Sequence, residues 1–121
     1  MRFAMLCYAP ESTQWRKEDD DAVMEKHNAT QARMMAAGKL GPNLRLMPTS
    51  AAMTIRAGGG EPLVLDGPFA ETKEALLGFW VFEAASLDEA LGIAREFASH
   101  MPGGALELRP VKEYDAGVAL P

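Results

Sequence analysis

Two stretches of the chain are apolar at almost every position, and they restrict the fold more than any other feature. Residues 2–8 read RFAMLCY, and residues 75–85 read ALLGFWVFEAA. In each stretch both alternating sets of side chains are apolar, which is typical of a central strand covered on both faces. We therefore expect a sheet whose middle strands need a cover on each side.

Two segments have the start and stop signals of helices. The first runs from about Glu18 to Ala37, with acidic residues near its beginning and Gly38 where a left-handed cap belongs. The second covers residues 86–99 and opens with a capping box, in which Ser86 is the N-cap and Glu89 is the third helical residue.

The helical period predicts which side chains of these helices face inward. In the second helix one face carries Ala90, Ala94, Phe97 and Met101. In the first helix the inward stripe contains Val23, Met24, Gln31, Met34 and Met35, and His27 falls within its angular span. His27 is therefore expected on the inner side of the helix.

The remaining extended runs complete an α+β chain. NLRLM (43–47), MTIRA (53–57) and LVL (63–65) are short extended runs, with the turn GGGEP before the third, and ALELRPV (105–111) is the last strand. The order is βαβ, an inserted hairpin, then βαβ. This predicts a ferredoxin-like βαββαβ antiparallel sheet with both helices on one face.

This arrangement leaves the second face of the sheet without a cover. An exposed apolar patch of that size is rare on a monomer. We therefore predict a homodimer whose two sheets pack face to face, with Trp80 or Phe82 near the seam.

Length and composition are those of one ordinary globular domain. The 121 residues are 48% hydrophobic and 24% charged. We predict a single domain over 1–121, with an ordered core at about 1–111 and a polar tail at 112–121.

Charge and hydropathy exclude two classes of partner. The net charge is −5, without a cluster of Lys and Arg that would neutralise phosphates, so nucleic acid is not expected. No apolar run approaches the roughly 18 residues of a membrane span. The apolar start FAMLCYAP is interpreted as a strand and not as a signal peptide, and a cytoplasmic location is expected.

Metal and nucleotide signatures are not present in the sequence. One cysteine and two histidines are too few for a structural zinc site, and Cys7 is interpreted as a small buried hydrophobe. GGGEP lacks the Lys and Ser/Thr of a P-loop, and no dinucleotide fingerprint occurs. Any catalysis is expected to be free of metals and cofactors.

Residues 65–74, LDGPFAETKE, combine turn chemistry with polar groups beside a buried strand. Asp66 can accept from the backbone two residues on, and Thr72 can close the turn through its hydroxyl. Lys73 either pairs with neighbouring acids or, with Arg56, binds the carboxylate of a small acid. The residue types favour a turn and leave a binding site open.

The string DGPFAETKE, with LLGFWVFEAASLDEAL after it and GGALELRPV later, resembles the DGPF-domain group of the YCII-related family. The resemblance runs from RFAMLCY through LRPV, to about residue 111. It implies a ferredoxin-like α+β fold, a dimer and a small cleft. In the broader family a first-helix histidine and an aspartate are regarded as an acid/base pair, and one relative is a cofactor-free lactone dehalogenase.

This resemblance directs attention to two residues. His27 stands eleven positions before Gly38, as in the family pattern, and Asp66 is the acid of the motif. One hypothesis is an acid/base cleft around His27 and Asp66 that acts on a small organic acid or lactone, with Lys73, Arg56 and Thr72 as candidate ligand contacts. The alternative is a non-catalytic binding or regulatory domain in which His27 only packs, so whether the protein is an enzyme stays open.

Overall fold

The computed structural model describes residues 1–11 and 17–121. In these ranges the elements are β1 (Arg2–Ala9), α1 (Lys17–Ala36), β2 (Leu40–Arg45), a short 3-10 helix (Thr49–Ala51), β3 (Met53–Arg56), β4 (Leu63–Asp66), β5 (Ala75–Glu83), α2 (Leu87–Ser99) and β6 (Ala105–Pro110). None of the helices in the described ranges combines the length and the apolar composition that a membrane crossing requires.

Four of the strands form one antiparallel sheet in the order β2-β5-β1-β6. The two apolar strands of the sequence are therefore neighbours at its centre, with Met5 opposite Trp80 on one side and opposite Leu108 on the other. With α1 following β1 and α2 following β5, this α+β arrangement is compatible with the predicted ferredoxin-like fold.

The core lies between the helices and one face of this sheet. Phe3, Met5 and Phe82 are at most 1% exposed, and Phe97 of α2 packs with them. Trp80 shares this inner face and is 9% exposed. The prediction that Trp80 or Phe82 lies near a dimer seam is therefore wrong, because the strand register turns both side chains toward the helices.

The opposite face of the sheet carries the alternate residues of the central strands. Leu6 stands opposite Phe79, and Ala4 opposite Val81, and all four are partly exposed. The segment after β6 returns near this face, where Arg2 lies over the ring of Tyr114 at 4.8 Å. The apolar back of the sheet is thus only partly covered within one chain.

The helix ends form as the sequence predicts. Ser86 accepts a hydrogen bond from the backbone N–H of Glu89 at 3.1 Å, and Glu89 accepts one from the N–H of Ala85 at 2.8 Å. Gly38 ends α1 with φ +69°. The capping signals therefore locate both helices within one residue of their observed bounds.

The inward stripe of α1 differs from its prediction in two residues. Val23, His27 and Met34 are buried as expected, but Met35 is 66% exposed. Thr30 is 2% exposed instead, and its hydroxyl donates to the carbonyl of Lys26. The stripe is narrower than predicted because Met35 lies 100° around the helix from Met34, which turns it to solvent.

The inserted hairpin is a separate two-stranded ribbon. β3 and β4 pair with each other, with Ile55 opposite Val64, and belong to a sheet of their own. Most of its apolar side chains are exposed, namely Met53, Ile55, Leu63, Val64 and Leu65. The hairpin prediction is confirmed, and its large exposed apolar surface is a new feature.

Gly78 allows β2 to approach β5 closely. A Cβ at this position would lie 2.2 Å from the carbonyl oxygen of Leu44 and 3.1 Å from the Cα of Arg45. Such a contact with backbone atoms forces a shift of the strand. Glycine at this position therefore allows the edge strand β2, and with it Arg45, to lie close against β5.

Candidate functional site

A cavity of about 300 Å³ lies between α1, the edge strand β2 and the inner face of β5. Its apolar wall includes Val23, Met24, Leu77 and Trp80, and Cys7 and Met101 contribute from β1 and the end of α2. Polar groups come mainly from α1 and β2: Asp20, His27, Asn28, Gln31, Asn43 and Arg45. A mostly apolar cavity with a few polar groups is the usual form of a small-molecule site.

His27 is the buried polar group on the wall of this cavity. It lies at the middle of α1 and is 4% exposed. Its Nδ1 is 3.0 Å from Nδ1 of His100, the C-cap residue of α2. One ring nitrogen must donate and the other accept, so the two Nδ1 atoms cannot both be protonated in this arrangement. Nε2 of His27 is the nitrogen left for a ligand.

Aromatic rings surround the imidazole of His27. The ring of Trp80 meets it edge-on with centroids 5.4 Å apart, and the ring of Phe97 lies at 5.2 Å. Trp80 and Phe97 also pack on each other at 4.8 Å. This apolar environment holds the imidazole in one position and disfavours its charged form.

The pKa of His27 is lowered to about 4. Burial is the largest cause, the neighbouring His100 and Arg45 lower it further, and the carboxylate of Asp20 acts in the opposite direction. His27 is consequently a neutral imidazole at pH 7. It can accept or donate a hydrogen bond in this state, but it holds no extra proton to deliver.

Hydrogen bonds also fix the tryptophan of the cavity wall. The indole N–H of Trp80 donates to Oε1 of Gln31 at 2.6 Å. The amide of Gln31 donates in turn to Oδ1 of Asn28 at 3.2 Å. Gln31, one helical turn after His27 on α1, therefore fixes the position of the Trp80 ring beside the His27 ring.

Asp20 and Arg45 form an ion pair that joins α1 to β2. Nη2 of Arg45 lies 3.0 Å from Oδ1 of Asp20, and both residues line the cavity. The side chain of Arg45 is 62% exposed, and that of Asp20 is 31% exposed. Burial raises the pKa of the Cys7 thiol above its usual value. The nearby charge of Arg45 lowers this pKa by a smaller amount. Arg45 thus places a positive charge at the wall of the cavity.

The family of the chain follows from comparison with known proteins. The model of the YCII-related domain matches residues 1–115. This chain belongs to the YCII-related family. An uncharacterized protein of Rhizobium meliloti (strain 1021) is 51% identical in an alignment of 120 positions that covers 97% of each of the two chains. The family prediction is confirmed, and it brings no established activity with it.

The aspartate of the DGPF motif lies apart from the histidine in this YCII-related chain. Asp66 ends β4, where it pairs with Met53 across the hairpin, and it does not line the cavity of His27. The side-chain partner of His27 in the structure is His100. The structure thus does not bring His27 and Asp66 together, and a catalytic role of Asp66 stays a prediction.

The motif forms one side of a second cavity, of about 400 Å³. Gly67, Pro68, Glu71 and Thr72 line it, opposite Glu11, Thr49 and Ser50. Gly67 has φ +97°, which the turn requires and glycine adopts easily. The hydroxyl of Thr72 donates to the carbonyl of Glu74 at 2.6 Å, so Thr72 closes the turn as the first of its two predicted roles requires.

The two cations predicted to bind a carboxylate, Arg56 and Lys73, lie outside both cavities. Arg56 lies over the ring of Phe69 at 4.9 Å, and Lys73 is exposed on the motif turn. Neither residue lines either of the two cavities. The role of Arg56 and Lys73 as ligand contacts therefore stays a prediction.

Sequence reasoning did not assign three residues to this site, namely Arg45 and Asp20, which line the cavity, and His100, which contacts His27. His100 follows Phe97 by one helical turn, so the period of α2 was a usable signal for its inward position. Arg45 and Asp20 are 25 positions apart in the chain. No local pattern relates them, because they meet only when β2 is placed beside α1. Among the described residues, no group of three or more His, Cys, Asp or Glu side chains is arranged to hold a metal ion.

Proposed function

We propose that this YCII-related protein binds a small organic acid or lactone in the His27 cavity and acts on it by cofactor-free acid/base chemistry. The observation that carries the proposal is a buried, neutral imidazole on the wall of a mostly apolar cavity of about 300 Å³, with an ion pair between two other residues that line it. This volume is at the lower end of the range for small-molecule sites, so the ligand is compact.

The low pKa of His27 determines when it can act as a base. An imidazole whose conjugate acid has a pKa of about 4 accepts a proton weakly at pH 7. A ligand carboxylate in the cavity adds a negative charge beside the ring, and this charge raises the pKa of His27. An anionic substrate therefore makes His27 a stronger base than a neutral substrate does.

The proposed step is removal of a proton from the carbon beside the ligand carbonyl. Nε2 of His27 takes the proton, and the electron pair of the broken C–H bond remains on the enolate. Returning the proton restores the neutral ring. His100 acts as a positioning residue, because its Nδ1 fixes the orientation of the His27 ring at 3.0 Å.

Exchange of that hydrogen for deuterium tests the proposal without knowledge of the full reaction. The protein is incubated in D₂O with a panel of small lactones and 2-oxo acids, and loss of the α-proton signal is followed by NMR. We expect exchange with wild type and a loss of at least about 100-fold in His27→Gln, the usual scale of an acid/base contribution. Asp66→Asn tests the motif acid in the same assay.

The control is Thr30→Ser, a conservative change of a buried α1 residue that does not line the cavity. It should retain exchange. Equal exchange rates in wild type and a folded His27→Gln protein would exclude the catalytic role of His27.

A second candidate function is binding without catalysis. The nearly complete burial of His27 and its contact with His100 favour it, because a packed, hydrogen-bonded histidine has these same properties. The two functions separate in one experiment. Ligand binding at the cavity with no α-proton exchange for any compound of the panel supports the non-catalytic function.

We also propose that the protein works as a homodimer. Partly exposed Leu6, Phe79 and Val81 on the sheet back, and the exposed apolar side chains of the β3–β4 hairpin, support this assembly. Sedimentation equilibrium tests it. We expect a dimer at micromolar concentration and dissociation in Val81→Lys, while Leu87→Lys on α2 retains the dimer. A monomeric wild type would contradict the proposal.

A further inference from the structure

We infer that Arg45 is the carboxylate anchor of the His27 cavity and that Asp20 occupies this anchor until a ligand carboxylate replaces it. The inference rests on the proposed function, since it names how the same cavity selects its ligand. The predicted ligand is a compact monocarboxylate with an apolar body.

The position of Arg45 supports an anchoring role. It is the last residue of β2 and lies opposite Gly78, whose missing side chain allows the close approach of the two strands. Of the described residues that line the cavity, Arg45 is the only Lys or Arg. A ligand anion that enters this cavity therefore has one permanent positive charge to bind.

The chemistry of the ion pair makes replacement of Asp20 easy. Arg45 reaches Asp20 through one terminal nitrogen, at 3.0 Å, whereas a guanidinium has five N–H donors and can bind a carboxylate through two of them. With side chains 62% and 31% exposed, the existing pair is one of modest stability. Asp20 neutralises the cation without binding it so tightly that an incoming carboxylate cannot compete.

The remaining wall determines the body of the ligand. A carboxylate held by Arg45 leaves the rest of the molecule to fill the space lined by Met24, Leu77 and Trp80. A planar or compact apolar group suits this wall. Such a group can pack on the aromatic ring of Trp80, and the flexible side chain of Met24 can adjust to its shape. The ligand carbonyl region then lies within the cavity that His27 also lines.

Benzoate and its neutral analogue benzamide serve as probes, and the indole N–H signal of Trp80 reports binding by NMR. The chain has two tryptophans, so the titration is done in a Trp15→Phe background that leaves one indole signal. We expect benzoate to bind more tightly than benzamide. Arg45→Gln should weaken benzoate about 10- to 100-fold and leave benzamide unchanged, as loss of a charge-assisted hydrogen bond predicts.

Asp20→Asn distinguishes a competitor from a supporting residue. If Asp20 competes with the ligand, the variant binds benzoate about 2- to 5-fold more tightly, the scale of an exposed ion pair. Weaker benzoate binding in Asp20→Asn would overturn the inference. Arg45→Lys, which retains the charge, should show an intermediate loss and provides the test if Arg45→Gln fails to fold.

Arg33→Gln is the matched control. Like Arg45, Arg33 forms an exposed ion pair. Arg33 lies on α1 and pairs with Glu96 of α2, but it does not line the cavity. It should bind benzoate as wild type does. Equal binding of benzoate and benzamide would overturn the role of Arg45 while leaving a ligand site at His27, whereas binding of neither probe would overturn the inference and count against the proposed function as well.

Discussion

Replacement of His27 should remove most of the pH dependence of stability in weakly acidic solution. The pKa of His27 is 6.5 when exposed and about 4 in the folded protein, mainly because of burial. Between these two pH values the unfolded chain binds a proton that the folded chain does not bind. Stability is therefore complete above pH 6.5 and falls as the pH is lowered toward 4.

The size of this effect follows from the two pKa values. The whole difference corresponds to about 3.4 kcal/mol, since one pH unit of pKa difference is worth about 1.36 kcal/mol. Integration from pH 7.5 to pH 5 gives a loss of about 2 kcal/mol in the free energy of unfolding. Over this range the carboxyls with lowered pKa values, such as Glu83 and Glu89, stay ionised and contribute little change.

Urea unfolding at several pH values between 5 and 7.5 measures the loss directly. Wild type should lose about 2 kcal/mol on acidification, and a folded His27→Gln variant should lose correspondingly less. The difference between the two curves belongs to His27 together with its contact with His100. Parallel stability curves for the two proteins would refute the conclusion that His27 is a buried imidazole that stays neutral in the folded protein.

Three further predictions test the fold by urea unfolding, two of them with a matched control variant. Gly78→Ala should destabilise by about 1–3 kcal/mol, because its Cβ would meet the Leu44 carbonyl oxygen at 2.2 Å. Gly92→Ala on α2, where nothing lies within 4 Å, should instead stabilise by about 0.5–1 kcal/mol, and the reverse order would contradict the strand-contact argument. Ser86→Ala should lose about 1 kcal/mol with its N-cap hydrogen bond, and more than Ser99→Ala at the other end of α2. Phe97→Ala should lose about 3–5 kcal/mol and shift the fluorescence of Trp80, which it contacts; an unchanged spectrum would place Phe97 outside the aromatic cluster.

The fold was predictable because its signals are local. The double-sided apolar strands, the cap at Ser86 and the glycine after α1 each depend on residues a few positions apart, and all three lead to the observed elements. Packing decided what the periods alone could not. The helical period assigned Met35 to the inner stripe, but the sheet below α1 covers only the narrower face that includes Thr30.

The site was less predictable because its residues meet through tertiary packing. His27 and His100 are 73 positions apart, and their contact depends on how α1 and α2 lie over the same sheet. The family pattern singled out His27 together with an aspartate whose position in this chain it did not fix. Sequence reasoning chose Asp66 for its place in a distinctive string, and such a choice contains no information about which element packs against α1.

The separation of the motif from the histidine has a consequence for how this family is interpreted. The DGPF turn needs its own residues for local reasons: Gly67 at a positive φ and Thr72 bonded to the backbone of Glu74. Strings under such local constraints identify relatives well, whether or not they touch a ligand. The His27 cavity depends instead on side chains from β1, α1, β2, β5 and the end of α2, which no short string captures. A YCII-related chain that keeps the turn but replaces the residues at positions 27, 45 and 100 should therefore retain this fold and lack the chemistry proposed for this cavity.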